Sequence, residues 1–132
     1  LALVSNVHIH NQVAAKWFEA VGPKAAAYCR ITQLAFLRLL TNRKVMGDEV
    51  LTQPEAWDTY EAFFKDYRVT FLAEPDQMER NWREFCSLPT SSPNQWTDGY
   101  LAAFAAQAGL TVVTFDHGFK VYRGLRSVIL RL

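Results

Sequence analysis

The chain has 132 residues, a net charge of +1, half its residues hydrophobic and a fifth charged, which describes one globular domain with enough apolar side chains for a real core. So even a charge balance excludes bulk electrostatic attraction as a basis for nucleic-acid binding, leaving only local basic faces at Arg38, Arg43 and Lys44 and at Lys120, Arg123 and Arg126. Cys29 and Cys86 lack metal-type spacing and read as buried free thiols, and no apolar run approaches the ~18 residues of a membrane span. With no signal-like opening segment either, a cytoplasmic protein without a membrane partner is expected.

Leu1 to Val7 is short and apolar, and His8-Ile9-His10-Asn11 leads into a helical pattern. Val13, Ala14, Trp17, Phe18 and Val21 share one face, and Gly22-Pro23 stops the helix. Ala25 to Cys29 reads as a short buried strand. Thr32 to Leu40 follows as a helix with Leu34, Leu37 and Leu40 spaced for burial, ended by Thr41-Asn42. Thr52-Gln53-Pro54-Glu55 is a capping box with proline in the first turn, so a helix starts there, its apolar face Trp57, Tyr60, Phe63 and Phe64. Val69 to Leu72 is a short strand, and Pro75-Asp76 opens a helix through Met78, Trp82 and Phe85. After the polar loop from Pro89, Ser92 is placed to cap the next helix with Pro93 at its first position. Val128 to Leu130 forms a terminal strand. Strands alternating with helices, and no internal repeat or linker, predict a single α/β domain over 1–132 with a parallel sheet between helices.

The stretch from Trp96 to Asp116 carries the chemistry. Leu101, Ala102, Ala105 and Ala106 make a small apolar helix face, Gly109 tolerates the left-handed conformation that ends the helix, and Leu110 to Phe115 reads as a strand covered on both faces. Asp98 lies about 16 Å back from Gly109 along the helix at ~1.5 Å per residue. Asp116 lies about 23 Å beyond it along the strand at ~3.3 Å per residue. Helix and strand run antiparallel from their shared turn, so both carboxylates reach the edge at the carboxyl ends of the strands, where open α/β folds place their sites. Two carboxylates there point to a cation.

Trp96-Thr-Asp98-x-Tyr-Leu-Ala-Ala-x-Ala followed by Val-Val-Thr114-Phe-Asp116-x-Gly-Phe119 resembles the second half of a PIN domain of the VapC toxin type. His8-x-His10-Asn11-x-x-Ala14-Ala-x-Trp17-Phe18 is similar to that family's first helix, and Cys29-Arg-Ile-Thr32-Gln33-Leu34-x-Phe36-x-Arg38-Leu-Leu-Thr41-Asn42 to the segment after its second strand. The resemblance covers most of the chain. It implies a three-layer α/β sandwich with a mostly parallel central sheet and an endoribonuclease dependent on Mg²⁺ or Mn²⁺. A homodimer silenced by a cognate antitoxin is the implied assembly, and RNA the implied substrate. By position Asp98 and Asp116 are implied metal ligands and catalytic residues, with Thr114 supporting the site.

Two family acids have no counterpart. The first belongs to an N-terminal strand; Ser5-Asn6 stands too close to Trp17 to replace it, so the numbered chain is expected to lack that strand and Leu1-Ala2-Leu3 to follow it. The second is a glutamate whose position Gln33 takes, a neutral oxygen that suits a hard cation less well. Arg38 could instead approach a phosphate, and Glu74 is a distant substitute acid. Taken without the resemblance, Asp98 could equally be a dipole-favoured acid early in a helix and Asp116 a turn former before Gly118. His8 and His10 read as loop or helix-start residues, and the Trp57 stripe as core or dimer surface. The alternatives to a toxin ribonuclease are a degenerate PIN domain binding RNA or protein without cutting, and an unrelated phosphoryl-transfer domain, for which no nucleophilic Asp is visible.

Overall fold

In the computed structural model, which describes residues 11–131, the chain packs as two units: the described residues up to Ala73, and Glu74–Arg131. The first holds helix α1 (Asn11–Ala20), strand β1 (Ala26–Tyr28), α2 (Arg30–Leu40), the short α3 (Arg43–Met46), α4 (Gln53–Phe64) and strand β2 (Val69–Phe71). Strands β1 and β2 pair in parallel, with Ala26 opposite Val69 and Tyr28 opposite Phe71. The core lies where α2 meets α4: Phe36, Leu40, Ala56 and Tyr60 are buried, with Tyr28, Leu37, Met46, Leu51 and Phe63 packed against them. Burial, and after it the neighbouring Tyr60, pushes the Tyr28 phenol up to about 12.

Local chemistry explains the starts of these helices. Thr52 caps α4 as its sequence requires: the Glu55 carboxylate accepts from the Thr52 N–H at 2.7 Å, and the Thr52 hydroxyl accepts from the Glu55 N–H. Arg68, just before β2, donates to both oxygens of Asp66 at 2.8 and 2.7 Å and to the Phe18 carbonyl at 3.1 Å, and lies 4.0 Å over the Phe18 ring. One guanidinium therefore ties α1 to the second strand. Its hydrogen bonds lower the Asp66 carboxyl to about 2.

The second unit holds α5 (Met78–Phe85), α6 (Asn94–Ala108), β3 (Thr111–Thr114), a 3₁₀ turn at His117–Val121 and β4 (Arg126–Ile129). Strands β3 and β4 also pair in parallel, Thr111 opposite Arg126 and Thr114 opposite Ile129. Gly109 ends α6 with φ 69°, and the Leu110 N–H reaches back to the Ala105 carbonyl at 2.8 Å, so the chain reverses directly into β3. Helix α6 buries Gly99, Ala102, Ala103, Phe104 and Ala105. Both strand pairings are parallel, as the α/β pattern predicts; among the described residues they form two separate two-stranded sheets.

Several expectations need correction. Helix α2 buries Gln33, Phe36 and Leu40, while Leu34 is 52% exposed, because a helix starting at Arg30 turns Leu34 away from α4. On α4 the core residues are Ala56 and Tyr60, and Trp57 and Phe64 stay 48% and 43% exposed. Ser92 does not cap α6 with its side chain: Pro93 is already helical (φ −67°, ψ −24°) and holds the cap position. Helix α5 starts at Met78 rather than at Pro75-Asp76, after Gln77 at φ 63°. Strands β1 and β3 are only partly covered, Ala27 and Thr111 being exposed. Helix α3, capped by the Asn42 side chain on the Lys44 N–H, was not foreseen. Both cysteines are free, Cys29 buried and Cys86 half-buried. The Leu1 to Val7 segment, His8 and His10, on which the expectation of an absent N-terminal strand rests, lie outside the described residues.

Close approach of α5 to α6 rests on a missing methyl group. A Cβ on Gly99 would overlap the Cys86 sulfur, whose thiol donates to the Gln95 carbonyl at 3.3 Å. Inside a helix, glycine to alanine ordinarily gains about 0.8–1 kcal/mol. Gly99→Ala should instead destabilise the fold by about 1–3 kcal/mol through overpacking. Adding Cys86→Ala removes the sulfur and should restore most of that loss, measured as urea unfolding free energies in a double-mutant cycle.

Candidate active site

Asp98 and Asp116 both belong to the second unit. Asp98 lies in the second turn of α6, beside Gly99, and is half-buried. Asp116 follows β3 and caps the 3₁₀ turn: its Oδ1 accepts from the Gly118 N–H at 2.7 Å, and its own N–H donates to the Thr114 hydroxyl at 3.0 Å. Thr114 thus holds the backbone of Asp116, while the Gly118 N–H fixes one oxygen of this exposed carboxylate. A Cβ on Gly118 would sit 3.0 Å from the Asp116 Oδ1, close enough that the carboxylate would have to shift.

The charges of the two acids are coupled. Burial raises the Asp98 carboxyl above the usual range, and the negative charge of Asp116 raises it further. The same field reaches two other side chains. Burial, then Asp98, Cys86 and Asp116 in turn, raise the Tyr122 phenol. Burial raises the Cys86 thiol too, with a smaller contribution from Asp98 after a Trp82 hydrogen bond that works the other way. Tyr122 packs against Phe85 and Phe119, with ring centroids 5.1 and 5.8 Å away. At neutral pH the surroundings of the acid pair are therefore a neutral phenol and a neutral thiol, neither of which relieves the repulsion. Sequence patterns did not single out Tyr122 or Cys86 as neighbours of the acids, because their approach depends on how α5 and the turn after β3 fold back.

The remaining candidates are placed as follows. Gln33 lies in the first unit, 8% exposed, the one buried polar residue among those described. Its amide oxygen accepts from Arg30 Nη1 at 2.5 Å, so that oxygen is already engaged. Arg38 is exposed on the last turn of α2 and makes no ion pair among the described residues. Glu74 accepts from the Tyr100 hydroxyl at 2.8 Å, a structural use of the carboxylate once weighed as a substitute acid. Among the described residues no group of three or more His, Cys, Asp or Glu side chains gathers as a metal site, so Asp98 and Asp116 stand as a pair. No helix among those residues is long and apolar enough to cross a membrane.

No family model matches the chain. Individual proteins do. Ribonuclease VapC41 of Mycobacterium tuberculosis is 41% identical over 135 aligned residues, covering 98% of this chain and 92% of that protein. Ribonuclease VapC43 of the same organism is 32% identical over 99 residues, covering 69% of this chain and 61% of that protein. Among solved structures, VapBC2 from Rickettsia felis bound to a promoter DNA fragment matches with a TM-score of 0.62 at 13% identity, over 92% of this chain and 84% of that one. At such low identity the structural match speaks to the fold, and it is the PIN-like α/β fold expected from the residues. With that fold and an identity of 41% along nearly its whole length, the chain belongs to the VapC ribonuclease family.

Proposed function

We propose that the chain is a toxin-type endoribonuclease that hydrolyses RNA phosphodiester bonds at Asp98 and Asp116, with a divalent cation, Mg²⁺ or Mn²⁺, as cofactor. The observation that carries this is the pair of acids near the start of α6 and just past the end of β3, each within reach of the other's charge, in a chain of the VapC ribonuclease family. The donor set suits a hard cation: two carboxylates, one with a second oxygen not used in the Gly118 contact, while the neighbouring Cys86 thiol is protonated and bonded to the Gln95 carbonyl. Such an ion characteristically uses one or two carboxylates and keeps several waters, and when bound it makes water a better nucleophile and offsets charge growing on the phosphate. Asp98 and Asp116 would hold it, and Thr114 would keep Asp116 in place through the backbone. Lys120 and Arg123, exposed just after Asp116 and without ion pairs among the described residues, would hold RNA phosphates on this unit, and Arg38 would do so on the first.

The proposed setting is the cytoplasm, with an antitoxin as partner and a homodimer as the assembly. The VapBC complex of Rickettsia felis supports the antitoxin. Leu34, Trp57 and Phe64, left exposed on α2 and α4, are apolar surface of the kind a protein partner covers. A second possibility, a non-cutting RNA- or protein-binding PIN domain, is favoured by one fact: no third acid joins the pair among the described residues.

Cleavage separates the two. With Mg²⁺ or Mn²⁺, the chain should cut single-stranded RNA, and Asp98→Asn or Asp116→Asn should each lower the rate about a hundredfold or more, roughly 2.7 kcal/mol at 1.36 kcal/mol per decade. Equal cutting by all three proteins would remove the site; no cutting by any would leave the binding module.

A second test needs no activity. Because the Asp98 carboxyl is raised in the fold, the folded state keeps its proton to higher pH than the unfolded chain does. Stability should therefore fall as pH rises from the ordinary carboxylate range through the raised value of Asp98. In EDTA at neutral pH, Asp98→Asn should melt above wild type, and the gap should close once pH drops below the ordinary carboxylate value. Mg²⁺ should raise the Tm of wild type and leave that of Asp98→Asn nearly unmoved. Differential scanning fluorimetry reads both effects.

A further inference from the structure

Gln33 occupies the place where a family glutamate is expected, yet its amide oxygen accepts from Arg30 Nη1 at 2.5 Å. Gln33 is 8% exposed, in the part of α2 that packs on the Tyr60 side of α4. A buried amide oxygen that accepts a hydrogen bond is held to that partner, because turning it away would leave a desolvated polar group unpaired. The guanidinium it holds lies 4.9 Å over the Phe71 ring, and the residue is otherwise exposed. Among the described residues Arg30 has no acidic partner. Its whole setting is neutral: an amide, a phenol and a phenyl ring.

That combination is informative. A glutamate at position 33 would orient Arg30 equally well but would cancel its charge. A glutamine orients it and leaves the full positive charge directed outward, with four of five N–H donors unspent. Holding the side chain in advance removes much of the entropy cost of using it. We infer that Arg30 is a phosphate-binding residue for single-stranded RNA, preorganised by Gln33 and Phe71, and that Gln33 acts through it as a positioning residue rather than as a cation ligand. The inference rests on the ribonuclease function proposed above. A polyanion is the favoured partner because, at a net charge of +1, attraction must come from individually placed cations.

The test is fluorescence anisotropy of fluorescein-labelled single-stranded RNA titrated with full-length, cleavage-defective Asp98→Asn protein over a series of KCl concentrations. Adding Arg30→Met, which can still cover Phe71, should weaken binding about tenfold. It should also flatten the log–log salt slope by about 0.7, the loss of one single-strand phosphate contact. Gln33→Glu should do the same by neutralising Arg30; Arg30→Lys should keep the slope while binding more weakly. With Asp98 intact, Gln33→Glu should cut more slowly with an unchanged Mg²⁺ requirement. An unchanged salt slope in Arg30→Met, in protein with wild-type melting and circular dichroism, overturns the inference. So does a Gln33→Glu enzyme that cuts faster at lower Mg²⁺, which would make position 33 a cation ligand. Wild-type protein that neither cuts nor binds RNA would defeat the ribonuclease function itself; wild-type cutting with an unchanged Arg30→Met slope defeats only the role of Arg30.

Discussion

Two like charges held together are the constraint on which the second unit turns. The reversal at Gly109 sends β3 back along α6, and that return brings the Asp116 charge to bear on Asp98. Each acid is braced by its own local device. Asp98 is carried on a helix whose alanine face and Gly99 allow tight burial, and Asp116 is pinned between the Thr114 hydroxyl and the Gly118 N–H. The Gly118 N–H stabilises the Asp116 charge, but among the described residues no cationic side chain pairs with either acid. Tyr122 and Cys86 beside the pair bring no positive charge to it, which is the condition the proposed divalent cation would relieve.

The first unit answers a different demand with a different economy of charge. Its core is aromatic and aliphatic, built from Phe36, Leu40 and Tyr60, and Gln33, the buried polar side chain among its described residues, accepts from the Arg30 guanidinium. Arg68 and Arg30 make the contrast plain. Arg68 is tied by two bonds to Asp66 and serves to join α1 to β2; Arg30 is tied by a neutral amide and keeps its charge for a partner. The same side chain is structural in one place and available in the other, and the difference lies in whether its acceptor is charged.

Local rules were legible wherever a few neighbouring residues settled the outcome. The Thr52 to Glu55 capping box, Gly109 as a helix end and the parallel strand after it all follow from chemistry within a few positions. Errors arose where burial depended on distant contacts. Leu34 was expected inside because leucines at helical spacing usually are, but Phe36 and Leu40 meet α4 and the polar Gln33 takes the inner position instead. The stripe of Trp57, Tyr60, Phe63 and Phe64 was expected to be core or dimer surface, and it divides: Tyr60 and Phe63 pack into the core with Ala56, while Trp57 and Phe64 stay exposed. Periodicity gives the stripe, while the partner helix decides which edge of it is covered.

By itself the sequence determined the pair Asp98 and Asp116, their convergence at the end of a helix and strand, and through its residue pattern the VapC family, later matched over 98% of the chain. These are consequences of rise per residue and of short motifs, which need no knowledge of distant packing. Only the tertiary structure decided the partners of the polar candidates: the neutral phenol and thiol beside the acids, Glu74 bonded to Tyr100, and, in the first unit, Gln33 bonded to Arg30. Hydrogen-bond partners and burial are set by side chains brought together from separate elements, and no spacing along the chain encodes which of several nearby polar groups a buried oxygen will accept from.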